Sequence, residues 1–215
     1  VVPEGGTQAG VTAEYYSIKE ASGDEAPDDR DDLDFIATTA FVRKGLSPSV
    51  DVGLRGAVVP LPPLVAAGWI QGDVKLSLLQ GSAGALALDP AIGFGAGATA
   101  WTPGGSDNQG GESEEGLDWS WRISPVGHLP LLAALGSESV SVEASVGPSV
   151  TRSIYHEDVV GWSSGPWLVA MRMTAGLSLR VSSKVRLQPE AVFAAPIAEA
   201  HYLRVVAGGI SMIVD

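Results

Sequence analysis

The sequence predicts an all-β fold: an antiparallel up-and-down transmembrane β-barrel of about ten strands, with eight or twelve also open. Three observations predict it. Apolar residues recur with period two along nearly the whole chain, the mark of strands with one apolar face. The connections between those segments tend to alternate between short and long. In a meander, that puts the short turns at one end and the long loops at the other. The tryptophans fall at one of those two ends, and amphipathic rings collect at membrane interfaces.

The strands are read in order as 8–18, 34–44, 48–59, 69–80, 84–101, 117–135, 138–153, 166–182, 184–197 and 201–214. In the third, Val50, Val52 and Leu54 oppose Asp51, Gly53 and Arg55. In the fourth, Val74, Leu76 and Leu78 oppose Asp73, Lys75 and Ser77. Leu86, Leu88, Ile92 and Phe94 alternate with small residues and Asp89 in the fifth. Pro125 and Pro130 lie inside the sixth, where proline removes ladder donors. Val140, Val142 and Val146 face away from Ser141, Glu143 and Ser145 in the seventh. Trp167, Val169, Met171, Met173, Leu177 and Leu179 oppose Arg172, Thr174, Gly176, Ser178 and Arg180 in the eighth. Val185, Leu187 and Phe193 oppose Arg186, Gln188 and Glu190 in the ninth.

Short turns are expected at Lys44–Ser47, Gly81–Ala83, Gly136–Ser137 and Ser183. Longer connections are expected at 19–33, 102–116 and 154–165, and an apolar proline-rich external turn over Val58–Ile70. An even strand number places both termini at the short-turn end. Trp69, Trp101, Trp119, Trp121, Trp162 and Trp167, joined by Tyr15, Tyr16 and Tyr202, then map to the long-loop rim as an interface girdle. The alternative is that these rings pack in a soluble β core, but chance would scatter them over both ends.

Composition narrows the function. Net charge is −12, so nucleic acid is not an expected partner, because its phosphates would be repelled. The absence of cysteine excludes disulfides, thiolate nucleophiles and Cys-ligated metals. Apolar residues make up 45% and charged residues 18%, so the chain can bury a core and is not disordered by composition. The longest apolar stretch, Gly56–Ile70, holds three prolines and cannot be a spanning helix of about 20 residues. The chain opens Val-Val-Pro-Glu-Gly-Gly without a basic leader; the patterning favours a mature form after cleavage. The whole chain, 1–215, reads as one barrel domain with acidic external loops at 19–33 and 102–116.

In a membrane barrel the polar face looks inward. That face carries Glu14, Asp51, Arg55, Asp73, Lys75, Asp89, Asp118, Arg122, Glu143, Arg172, Arg180, Arg186, Glu190 and Arg204. Acids and bases balance in this set, and in a narrow lumen they must neutralise one another. Ten strands leave little open lumen once side chains fill it, since wide aqueous pores take about 16 strands.

Gly45-Leu46-Ser47-Pro48-Ser49-Val50-Asp51-Val52-Gly53-Leu54-Arg55 resembles a strand–turn–strand repeat of bacterial outer-membrane β-barrels. Ala175–Leu187 is similar, and so is Gly72–Gly97. The resemblance covers most of the chain and implies a class, the small Gram-negative outer-membrane barrel, rather than an activity. It implies an outer-membrane location with both termini periplasmic. It also implies surroundings of membrane lipid and lipopolysaccharide, and external loops open to a protein partner. Such barrels usually end on an aromatic residue, and here the sequence ends Met212-Ile213-Val214-Asp215.

Sites of chemistry are few. His156-Glu157-Asp158 places a histidine beside carboxylates in a long loop, the residues a rim hydrolase would use; a solvated loop is the simpler reading. His128 and His201 have no partner at metal-ligand spacing, and no serine sits in a nucleophile elbow. Gly93-Phe94-Gly95-Ala96-Gly97 lacks the spacing and helix of a dinucleotide fingerprint. Asp28-Asp29-Arg30-Asp31-Asp32-Leu33-Asp34 offers carboxylate oxygens to a divalent cation but lacks an EF-hand pattern; the metal question stays open. No cofactor and no catalytic residue is expected. The leading reading is a non-enzymatic structural or interaction barrel with a charge-plugged lumen. A narrow passive channel is the alternative, ahead of a rim hydrolase or a soluble lipocalin-like binder.

Overall fold

The computed structural model describes residues 2–21, 32–61, 65–101, 118–157, 161–197 and 202–215. The acidic segments at 22–31 and 102–117, the turn at 62–64, and residues 158–160 and 198–201 lie outside the described residues.

Twelve strand segments follow one another: β1 (Thr7–Ala21), β2 (Asp32–Ser47), β3 (Val50–Leu61), β4 (Val65–Gly81), β5 (Gly84–Leu88), β6 (Ala91–Trp101), β7 (Asp118–His128), β8 (Leu131–Gly136), β9 (Val140–Glu157), β10 (Gly161–Arg180), β11 (Val185–Pro196) and β12 (Tyr202–Val214). All pairs are antiparallel, and β12 closes on β1 from Ala9↔Val214 to Ala21↔Tyr202. The result is a closed ten-strand barrel. Two of its ten staves are each broken into two segments: β5 and β6 both pair with β4, while β7 and β8 both pair with β9.

The breaks fall at Asp89-Pro90 and Leu129-Pro130, where proline supplies no amide. Backbone bonds bridge the gap: Asp89 N donates to the Pro130 carbonyl at 3.1 Å, and Leu129 N to that of Pro148 at 3.0 Å. The expected continuous strands 84–101 and 117–135 are therefore interrupted, the second at Pro130. Pro125 stays within β7, its carbonyl accepting from Thr151 Oγ1 at 3.0 Å.

Parts of three expected loops are strand. Lys19 pairs with Asp32, so the first hairpin reaches above the predicted ends. Of the apolar segment Val58–Ile70, expected as an external turn, the described residues are strand, with β3 and β4 continuing to Leu61↔Val65; 62–64 lie outside the described residues. The expected connection 154–165 is shortened because β9 runs to Glu157 and β10 starts at Gly161; a bulge between Ser164 and Trp167 absorbs one extra residue. Trp162, expected in that loop, is in β10.

Following the register round the ring from Gln8 to Arg43, Gly53, Asp73, Ala91, His128, Ser149, Ala170 and Pro196, then along the β11–β12 and β12–β1 pairings, returns to β1 at Glu20. That climb, with a rise of about 3.3 Å per residue and strands about 4.8 Å apart, tilts the strands by about 40° and gives a backbone diameter of about 20 Å.

The two faces are inverted relative to a soluble barrel. Large apolar side chains project outward all round the ring, with Ile92 69% and Val58 68% exposed and Val11, Leu54, Ile70, Val142, Met173 and Ile210 alongside them. Most of the buried residues are small or polar and face the interior, Thr12, Glu14, Ala37, Thr39, Asp51, Gln71, Asp73 and Ser211 among them. Soluble monomers rarely expose an apolar belt of this extent; lipid is the solvent that suits it.

Candidate functional site

The interior holds a cavity of about 580 Å³. Of the residues expected to line it, Asp51, Arg55, Asp73, Lys75, Asp89, Glu143, Arg172, Arg186 and Glu190 do, together with Glu14. Two others sit elsewhere. Arg122 is exposed on β7, where its guanidinium donates to Ser153 Oγ. Arg180 is exposed at the end of β10, near the short turn, and pairs with Glu138 at 3.3 Å. Arg180 ends its strand, and Arg122 lies two positions beyond Ser124, which lines the cavity. The side chains of Asp118 and Arg204 lie outside the description.

The centre of the site is a residue that sequence patterning missed. Arg43, on β2, is ion-paired with Asp51 on β3 and Asp73 on β4, and lies 3.5 Å from Asp89 between β5 and β6. One guanidinium thus holds three carboxylates from successive staves. Asp51 is fully buried and also accepts from the backbone amide of Val2 at 2.9 Å. Val2 is itself buried at 5%. The segment is fixed by Gly5 N to the Gly45 carbonyl at 3.0 Å, Gly6 N to the Pro3 carbonyl at 2.8 Å, and Lys44 Nζ to the Gly5 carbonyl at 2.6 Å. Gly5 takes a left-handed φ of 73°, and a Cβ on Gly45 would lie 2.1 Å from the Pro3 carbonyl oxygen. Both positions therefore require glycine. Arg43 was obscured because its strand face also carries Phe35, Ala37 and Phe41, so β2 lacks a clean polar alternation. The odd-numbered phase shared with Thr39 is the signal that could have found it.

Above this cluster, Glu14 accepts from Thr39 Oγ1 at 2.9 Å and from the Tyr16 hydroxyl at 3.1 Å. Tyr16 stacks on Phe35 with ring centroids 5.0 Å apart. Gln188 Nε2 donates to Glu143 at 3.3 Å. At the short-turn rim Asp215 accepts from Gln8 Nε2 at 2.7 Å and pairs with Arg186. Burial alone would raise the Asp215 carboxyl, but the hydrogen bonds from Arg186 and Gln8 outweigh it and hold it below its ordinary value.

The tryptophans divide. Trp121, Trp162 and Trp167 project outward, 53%, 63% and 55% exposed. Trp121 and Trp162 are both register partners of His156, so the three form a row across β7, β9 and β10. His156 meets Trp162 edge-on at 5.0 Å, and Arg152 lies 5.7 Å over Trp167. Trp69, expected in the outward girdle, faces the cavity under Arg55, because Ile70 takes the outward position next to it. Of Trp101 and Trp119 only the strand positions are described. Tyr15 faces out and Tyr16 in, as adjacent strand residues must.

Of the predicted His-Glu-Asp run, His156 and Glu157 end β9, while Asp158 is outside the described residues, as is His201. Most of the Asp28–Asp34 segment is outside them too. Among the described residues no group of three His, Asp or Glu is placed to hold a metal.

No family model and no curated protein matches the sequence. Solved structures do. The translocator domain of the autotransporter NalP from Neisseria meningitidis superposes with a TM-score of 0.56 at 9% identity, over 97% of this chain and 88% of that one. The β domain of the Bordetella autotransporter BrkA is similar at TM-score 0.44 and 11% identity, over 94% and 98%. Neisserial surface protein A gives 0.39 and 10%, over 94% and 95%. The chain has the fold of the bacterial outer-membrane β-barrels.

Proposed function

We propose that the chain is a Gram-negative outer-membrane barrel with a structural and interaction role rather than a catalytic one. The observation that carries this reading is the Arg43 cluster. A lumen about 20 Å across between backbones has three carboxylates tied to one guanidinium and a chain segment hydrogen-bonded to one of them. Such a lumen stiffens the barrel and opposes bulk flow. Val, Leu, Ile and Met of the outer face hold it in lipid, with Trp121, Trp162 and Trp167 at the lipopolysaccharide-facing interface. Both termini are periplasmic, and the acidic segments within 19–33 and 102–116 meet a protein partner outside.

Conductance across a planar bilayer tests this. The folded protein is expected to give no discrete steps. Steady unitary steps would overturn the plugged barrel in favour of a narrow passive channel, the reading that the cavity of about 580 Å³ supports.

A further inference from the structure

We infer that the middle of the lumen carries a binding site for a small monocarboxylate, built by Arg55, Gln71 and Trp69 around the bare backbone of Gly95. Arg55 and Gln71 are direct cross-strand partners on β3 and β4, so their side chains lie side by side on the inner face. Trp69 shares that face of β4, and the Arg55 guanidinium lies 5.7 Å over its ring. That contact sets the guanidinium against the ring face. Neither donor is used up. Gln71 is only 3% exposed, yet its Nε2 has no hydrogen-bond partner, and neither has Arg55 Nε. A buried donor without an acceptor is costly, and two adjacent ones in one cavity wall call for a shared acceptor. No described carboxylate forms an ion pair with Arg55, since its electrostatic neighbours Asp73 and Asp89 are held by Arg43.

Space for the ligand comes from β6. Trp69 pairs with Gly95, which lines the cavity without a side chain. The chemistry selects a carboxylate: guanidinium plus amide presents paired donors to two coplanar oxygens. It selects a single charge, because six acids and five bases already line the cavity and a dianion would meet repulsion from Glu14 and Glu190. This inference stands apart from the proposed function, since binding is read without conductance.

The test is calorimetric titration of the folded protein in nonionic detergent with sodium acetate, inorganic phosphate and acetamide. Saturable acetate binding is expected, with acetamide and phosphate at least about tenfold weaker. Gly95→Val fills the bay; a Cβ there meets nothing closer than 3.7 Å, so the barrel should fold and acetate affinity should fall about tenfold or more. Arg55→Gln should do the same. Retention of heat-dependent gel mobility certifies each variant, and if Arg55→Gln does not fold, Gly95→Val decides. No saturable acetate binding, equal binding by folded Gly95→Val, or preference for phosphate or acetamide would each overturn the site.

Discussion

At the scale of residues, Arg43 has the largest expected effect. Asp51 has no contact with solvent and depends on Arg43 and the Val2 amide for compensation. Removing one partner of a buried ion pair leaves an unpaired charge and costs about 3–5 kcal/mol. Arg43→Met should therefore lower the unfolding free energy of the vesicle-inserted barrel, read from urea titration, by an amount in that range, and adding Asp51→Asn should restore part of it. Equal midpoints for Arg43→Met and the parent would show that the cluster does not hold the barrel. Asp215 gives a pH signature. Its folded carboxyl titrates below its ordinary value, so its contribution is present above that value and is lost as pH falls through the folded one. Asp215→Asn should unfold slightly earlier than the parent at neutral pH and coincide with it in strong acid. Alternation made Asp51, Asp73 and Asp89 legible as inward residues. Arg43 was not, because Phe35 and Phe41 share its face and hide the period.

At the scale of elements, the staves were legible and their interruptions were not. Period two places Ile92 and Phe94 outward and Gly93 and Gly95 inward, as observed. It says nothing about where backbone bonding pauses, and a proline inside a strand marks only a candidate: Pro125 is accommodated, Pro90 and Pro130 are not. Loop lengths were overestimated for a related reason. Apolar, proline-bearing stretches such as 58–61 are compatible with strand once a neighbour supplies the register. The paired breaks have a tight point at Gly147, where a Cβ would lie 2.2 Å from the Leu129 carbonyl oxygen. Gly147→Ala should cut the yield of heat-modifiable folded barrel. Gly165→Ala, whose Cβ meets nothing closer than 3.8 Å, should leave it unchanged. Similar yields from the two would show that the backbone crossing at Leu129-Pro130 is looser than described.

At the scale of the whole molecule, the inversion of faces was the most legible feature, because it needs only the sum of many weak alternations. It predicts a solvent-dependent penalty. Leu54→Arg puts a cation on the outward face of β3 and should cost about 2–4 kcal/mol if that face meets the bilayer interior. Val181→Arg, in the exposed turn after β10, should cost nearly nothing. Equal effects in vesicles would argue that the belt does not face hydrocarbon.

Closure of the ring has a consequence in time. Thr12 and Ser211 share a hydrogen bond of 2.8 Å although 199 positions separate them, and β1 has no neighbour on that side until β12 arrives. Nearly the whole chain must therefore be made and threaded before the seam can zip, and so remote a contact is slow to find. Until then two raw edges carry unpaired amides and carbonyls, which water tolerates and hydrocarbon does not. Spontaneous insertion is thus kinetically penalised, and a template that lends a temporary strand to one edge would speed it most.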